Sequence, residues 1–184
     1  MSIYQPSDDS YLLQEVLKKY LKKIKNKKID ILDMGSGSGI LMQTCKENNF
    51  KNITAVDINK EAVTHLQKQK IKAIHSDLFS NSKLKNKKFD LIIFNPPYLP
   101  EDKREPQDSK LQTTAGKKGY EIIIKFLEQA KIHLQKKGKI LLLFSSLSKP
   151  HIVLKKAREM KYQYELQASK KLFFEELFVY EFWK

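Results

Sequence analysis

Phe89-Asp90-Leu91-Ile92-Ile93-Phe94-Asn95-Pro96-Pro97-Tyr98-Leu99-Pro100 decides how the rest of the chain is read. Its first six residues form the kind of apolar run that is buried on both faces of a parallel sheet. Prolines directly after it cannot donate to a ladder and so stop the strand. Asn95 is thereby expected at a strand's carboxyl end. In open α/β sheets the crevice outside those ends is where ligands bind.

An amide, two prolines and a tyrosine in that place suit alkyl transfer to a planar NH2 group. The nitrogen of such a group is a poor nucleophile because its lone pair is delocalised. The side-chain oxygen of Asn95 and the carbonyl of Pro96 can each accept one of its N–H bonds, which turns the lone pair outward and stabilises growing positive charge without a strong base. Pro96 and Pro97 stiffen the carbonyl direction, and the Tyr98 ring offers a face for a flat amide or base. A strand-ending turn that happens to carry these four residues is the plainer alternative, so flanking context has to decide.

Upstream, the same strand-then-ligand pattern recurs. Ile29-Asp30-Ile31-Leu32-Asp33 reads as a strand, and Met34-Gly35-Ser36-Gly37-Ser38-Gly39 as a glycine-rich turn into a helix from Ile40 to about Asn49. Gly35 and Gly37 let backbone approach a ligand at the helix N-terminus. The spacing Gly-x-Gly-x-Gly differs from the dinucleotide fingerprint. Asp33 before it would repel a pyrophosphate but suits the cationic amino group of S-adenosylmethionine.

The next strand, Asn52 to Asp57, ends in an acid near the separation at which a carboxylate accepts from ribose hydroxyls. Asp57 takes that role, with capping of the helix Lys60 to Gln69 as the alternative for Asp57 or Asn59. The strand Ile71 to His75 leads to Ser76-Asp77-Leu78-Phe79. There Asp77 suits the exocyclic amine of adenine, and reads equally well as a turn aspartate.

Residues 1 to 28 hold Tyr4-Gln5-Pro6-Ser7-Asp8-Asp9-Ser10 and then apolar positions from Leu12 to Ile24 at helical spacing, an amphipathic helix beginning near Ser10. Asp8, Asp9 or Ser10 can cap it, and the segment can also close a ligand site from above. Beyond Pro100, residues 101 to 114 are polar without an apolar period and read as a mobile loop. Tyr120 to Gln135 is helical, Gly138 to Phe144 a buried strand, and Lys149 to Met160 a helix with Pro150 in its first turn. Tyr162 to Ala168 and Phe173 to Trp183 form an antiparallel hairpin around Ser169-Lys170-Lys171.

The chain's 184 residues, 41% of them hydrophobic, fit one domain over 1–184. No apolar run approaches the roughly 18 residues of a membrane span, and no signal-peptide pattern opens the chain, so a cytoplasmic protein without membrane contact is expected. The lone Cys45 excludes an internal disulfide framework, and the four histidines have no metal-ligand spacing, so no metal site is expected. The net charge of +14 invites an RNA-associated setting. With Arg104 and Arg158 as the only arginines, the excess is lysine, poorly suited to bidentate base contacts. Solvated faces of a lysine-biased chain are the plainer explanation, with an acidic or RNA-associated partner as the alternative.

Three acids after three successive strands, followed by Asn-Pro-Pro-Tyr after a fourth, resemble class I methyltransferases that bind S-adenosylmethionine. With Tyr4 to Leu13, Asp33 to Gly39 and Asn95 to Pro100 together, the chain resembles the HemK family, in the short archaeal and eukaryotic form without a separate N-terminal domain. The resemblance implies a Rossmann-like three-layer α/β/α fold with about seven mostly parallel strands and an antiparallel hairpin at the end. It implies methylation of the glutamine side-chain nitrogen in the Gly-Gly-Gln motif of a class I release factor, with S-adenosylhomocysteine as co-product. It places Ser10, Asp33, Gly35, Asp57, Asp77 and Leu78 around the cofactor and Asn95, Pro96, Pro97 and Tyr98 at the target amide. Ala115-Gly116 stands where family members commonly carry Gly-Gly.

Two other functions remain in view. Adenine presents the same flat NH2, so an adenine-N6 methyltransferase on DNA or RNA fits the tetrad, although no added target-recognition region is evident. A non-catalytic binding module of this fold need not keep Asn95, Asp33 and Asp57 together. The strand Ile71 to His75 is expected at an open outer edge. The resemblance implies that a small zinc-binding activator protein adds a strand there to form a heterodimer.

Overall fold

Alternation along the central strand sets the layering. In β4 (Phe89–Phe94), Leu91 and Ile93 join one buried cluster, and Ile92 and Phe94 join the other, as a side-chain period of two requires. The first cluster is completed by Leu13, Leu17 and Leu21 of α1 (Asp8–Lys23), Leu41 and Met42 of α2 (Ile40–Glu47) and Leu66 of α3 (Lys60–Lys68). The second takes Ile123, Phe126 and Leu127 of α4 (Glu121–His133) and Val153 and Ala157 of α5 (Pro150–Glu159). Each helix buries one apolar stripe, and a sheet with two apolar faces needs helices on both, giving three layers. The computed structural model describes residues 3–100, 114 and 116–184.

The seven strands lie in the order β3 (Ala73–His75), β2 (Ile53–Asp57), β1 (Ile31–Met34), β4, β5 (Leu134–Ser145), β7 (Glu176–Trp183), β6 (Gln163–Lys171). Pairing is parallel from β3 through β5 and antiparallel from β5 to β7 and β7 to β6. The order reverses direction between β1 and β4, and such a switch point opens a crevice at the strands' carboxyl ends. Met34 pairs with Phe94. The glycine turn and Asn95 therefore leave the sheet side by side.

Several boundaries differ from those expected. β5 begins at Leu134, ahead of Gly138, and pairs there with Phe89 across a register shift. Ser169, Lys170 and Lys171, expected in the hairpin turn, are paired with Phe178, Leu177 and Glu176. The turn is instead Leu172 to Glu175, closed by a 2.7 Å bond from the Leu172 N–H to the Glu175 carbonyl. An edge strand needs no apolar side chains to satisfy its inner ladder, so a polar stretch there looks like loop in sequence. α1 begins at Asp8, with Ser7 at the capping position making no side-chain cap bond. The loop expected over 101–114 falls outside the described residues except at Thr114, as does Ala115.

Candidate active site

A cavity of about 470 Å³ opens at the switch point. Of the residues expected at the site, Ser10, Gly35, Gly37, Asp57, Asp77, Leu78, Asn95, Pro96, Pro97 and Tyr98 all line it, and Asp33 does not. Three βα connections, the β3–β4 loop and the start of α1 thus converge on one space. Nothing in the sequence order requires them to meet unless the sheet is parallel.

The turn after β1 needs its glycines. Gly35 has φ +63°, and a Cβ there would stand 3.0 Å from the Phe94 ring, so backbone approaches the next strand more closely than a side chain allows. The Gly37 N–H donates to Asp57 Oδ2 at 2.8 Å, and the Asn59 N–H to Asp57 Oδ1 at 2.7 Å. Asp57 is the clamp that holds the turn against β2. Each carboxylate oxygen keeps a further lone pair. The capping bond of α3 comes from Asn59, whose side chain accepts from the Glu61 N–H at 3.0 Å.

Asp33 lies on β1 beneath this turn, 1% exposed, and neither carboxylate oxygen has a hydrogen-bond partner. Burial, with a smaller contribution from the Asp57 charge, pushes its pKa up to about 8. A folded-state pKa above the unfolded value means the native protein holds the extra proton. The cost of ionising Asp33 therefore builds as pH rises through that interval, and the acid form is the stable one at low pH. A cation bound nearby would relieve that cost. Asp33→Asn is accordingly expected to raise Tm by several degrees at pH 8 in the absence of ligand while weakening cofactor binding. Calorimetric melting at pH 5 and pH 8 checks this, since the gain should shrink at the lower pH.

Asn95 is held by a residue that the sequence reading took only as a candidate helix cap. Asp9, 4% exposed in the first turn of α1, accepts the Asn95 Nδ2–H at 3.1 Å and the Tyr4 hydroxyl at 3.0 and 2.9 Å on its two oxygens. The Ser10 N–H also donates to Asp9 Oδ1. With its NH2 group committed to Asp9, the Asn95 amide has only one orientation, and its Oδ1 is buried without a partner. Burial, then the neighbouring Asp9 charge, lifts the phenols of Tyr4 and Tyr98 far above their usual range. Both stay neutral, so neither is a base. Tyr4 and Asp9 both line the cavity. Their sequence signals were a surplus of capping candidates, Asp8, Asp9 and Ser10, and the family resemblance of the Tyr4 to Leu13 segment, neither of which assigned Tyr4 or Asp9 a role at Asn95.

Asp77 is less committed to the cavity than expected. Its Oδ2 pairs with Lys125 Nζ of α4 at 2.8 Å, both side chains about half exposed, where ion pairs contribute little. Leu78 beside it is buried with φ +48°, a conformation unusual for a side chain of its size. Tyr98 is fixed from behind by the Ser148 hydroxyl, which donates to the Tyr98 carbonyl at 2.9 Å.

A switch-point cavity with a glycine turn, terminal carboxylates on successive strands and an oriented amide defines a class I, Rossmann-like methyltransferase. The sequence matches the Methyltransferase small domain family over residues 9–172, and the chain belongs to that family. It is 37% identical, over 99% of its own length and 92% of the other, to a Methanocaldococcus jannaschii protein assigned as a protein N5-glutamine methyltransferase. It is 28% identical over 69% of its length to the release factor glutamine methyltransferase of Bacillus cereus, of which it spans half. The fold is shared with the Mtq2–Trm112 complex of E. cuniculi, described as responsible for methylating the eRF1 translation termination factor (TM-score 0.78, 21% identity, 100% of this chain and 99% of that one). It is shared also with an AdoMet-bound 16S rRNA methyltransferase of T. thermophilus (TM-score 0.70, 22% identity, 98% and 44%).

S-adenosylmethionine is the cofactor of this enzyme, and the residues present suit it. The unpartnered carboxylate of Asp33 favours a positive group, and the glycine turn leaves backbone bare where a ligand must approach.

Proposed function

We propose that this protein methylates the side-chain amide nitrogen of a glutamine in a class I release factor. The observation that carries the proposal is the buried, partnerless Oδ1 of Asn95, on an amide that its bond to Asp9 fixes in the cavity wall. An amide NH2 needs an acceptor to orient it and no strong base, and Asn95 Oδ1 with the Pro96 carbonyl provides two acceptors. Tyr98 supplies a neutral face. The bound cofactor supplies an electrophilic methyl group. Asp33, buried behind the wall and not in it, is the counter-charge for the cofactor's ammonium, Asp57 accepts from its ribose hydroxyls, Ser10, Gly35 and Gly37 shape the wall, and Asp77 and Leu78 flank the adenine.

Tritiated-methyl transfer to release factor, to its Gln→Ala variant in the Gly-Gly-Gln motif and to oligonucleotides tests the reading. Label on the intact factor alone is the expected result. Label that survives the Gln→Ala change, or that goes to oligonucleotide, sinks it in favour of another acceptor.

The same proposal includes a small zinc-binding activator seated on β3. That strand is the sheet's outer edge. Lys72 and Ser76 bond to β2, so alternation turns the N–H of Ala73 outward, and Ile58, whose carbonyl meets the His75 ring at 2.9 Å, is 47% exposed. The opposite edge, β6, carries a register shift between Leu166 and Ala168 and two terminal lysines, devices that discourage pairing. Ala73→Pro removes one outward donor and no inner ladder bond. It should abolish co-purification with the activator while leaving the melting temperature of the isolated chain within a few degrees; a complex that persists puts the interface elsewhere.

A further inference from the structure

The β6–β7 turn carries two adjacent phenylalanines that no part of the fold uses. Phe173 is 92% exposed and Phe174 85%, and the rings meet each other edge to face at 4.6 Å. Isolated exposed apolar residues are ordinary, whereas a contiguous pair this bare marks a contact surface. Its position is specific. β7 runs antiparallel to β5, and its first residues pair at β5's carboxyl end, Leu177 opposite Ser145. The turn therefore lies on the same edge of the sheet as Asn95.

Two bonds link its flanks to neighbouring elements, one of them an exposed ion pair. Lys170 Nζ pairs with Asp8 at the start of α1 at 2.8 Å. The Glu176 N–H donates to Ser146 Oγ at 3.0 Å, and Ser148 of that same short segment donates to the Tyr98 carbonyl. The hairpin tip and the acceptor loop are thus joined through one serine-rich turn. Next to the two rings, Glu175 has a buried Oε2 without a hydrogen-bond partner. Its charge reaches both Tyr98 and Tyr4.

We propose that Phe173, Phe174 and Glu175 form the docking lip for the protein substrate. The two rings cover apolar side chains flanking the acceptor glutamine, and Glu175 accepts an N–H from the same segment. This rests on the function proposed above. The occupant is argued from continuity. The aromatic pair and the partnerless carboxylate sit at the carboxyl end of the sheet, the end where Asn95 leaves β4 and where an acceptor amide has to arrive, and Ser146 and Ser148 link the hairpin to Tyr98. An exposed aromatic pair next to an unsatisfied acceptor matches what protein interfaces use as anchors.

The test compares wild type with Phe173→Ser/Phe174→Ser and with Glu175→Gln, using intact release factor and, separately, a short peptide containing only Gly-Gly-Gln. Phe173 and Phe174 are exposed, so the double change should leave the fold intact, and unaltered S-adenosylmethionine affinity by calorimetry verifies that. KM for the intact factor is expected to rise at least tenfold with kcat at saturation within twofold, while the short peptide, which cannot reach the lip, shows no change. Glu175→Gln should raise the same KM by a smaller factor. An unchanged KM for the intact factor overturns the proposal, as does a double variant that merely converts a dimer to a monomer or loses binding to lipid vesicles. Failure of the wild-type protein to label release factor would count against the proposed function instead, with the KM comparison then made on the acceptor found by labelling.

Discussion

Asn95→Ala is expected to lower kcat by about 10²–10³-fold or more while leaving the cofactor dissociation constant within about tenfold. Asn95 Oδ1 is the one buried side-chain amide oxygen without a partner among the described residues, and in the proposed reaction it accepts most strongly as positive charge grows on the acceptor nitrogen. An interaction made chiefly in the transition state appears in kcat and hardly in ground-state binding. Loss of a preorganised polar contact typically costs that much in rate. Single-turnover transfer beside calorimetric cofactor binding separates the two quantities. A variant with weakened cofactor binding and an undiminished maximal rate would mean that Asn95 serves the cofactor alone.

Asp9→Asn should lower kcat by about 10²-fold, even though the residue is a helix-turn carboxylate near no reacting atom in the sequence reading. Asp9 receives Asn95 Nδ2–H, the Tyr4 hydroxyl and a backbone N–H. An asparagine there offers one oxygen in place of two and turns an NH2 toward other donors. A buried donor left unmatched costs about 1–3 kcal/mol, which the Asn95 amide can avoid by flipping, and a flipped amide presents N–H where an acceptor is required. Cofactor affinity should change little. Tyr4→Phe, which removes only one of the donors, should have a milder effect than Asp9→Asn, and equal losses would argue that the hydroxyl itself matters.

What could be read in the sequence follows from how local each signal is. The run Phe89 to Phe94 and the glycines after Asp33 are short-range statements about backbone, and both proved to be a strand end and a turn at the switch point. Asp57 was legible as a strand-terminal acid, yet its bonds to Gly37 and Asn59 were not, because they depend on which strands are neighbours. Asp9 was missed for the same reason. Its partner Asn95 is 86 residues away, and a first-turn aspartate already has a sufficient local explanation. The polar outer half of the hairpin misled because an edge strand satisfies its backbone without showing apolar periodicity.

The reversal of the final strand also decides how this protein can be handled. β7 carries the chain from the cavity edge back to the amino ends of the parallel strands, where Phe182 pairs with Ile140 and Lys184 Nζ donates to the Leu134 carbonyl at 3.0 Å. A fluorophore or surface tether attached at Lys184 therefore emerges on the far side of the sheet and leaves the opening clear. One attached ahead of Tyr4, whose side chain is part of the cavity wall, sits in the path of any incoming protein.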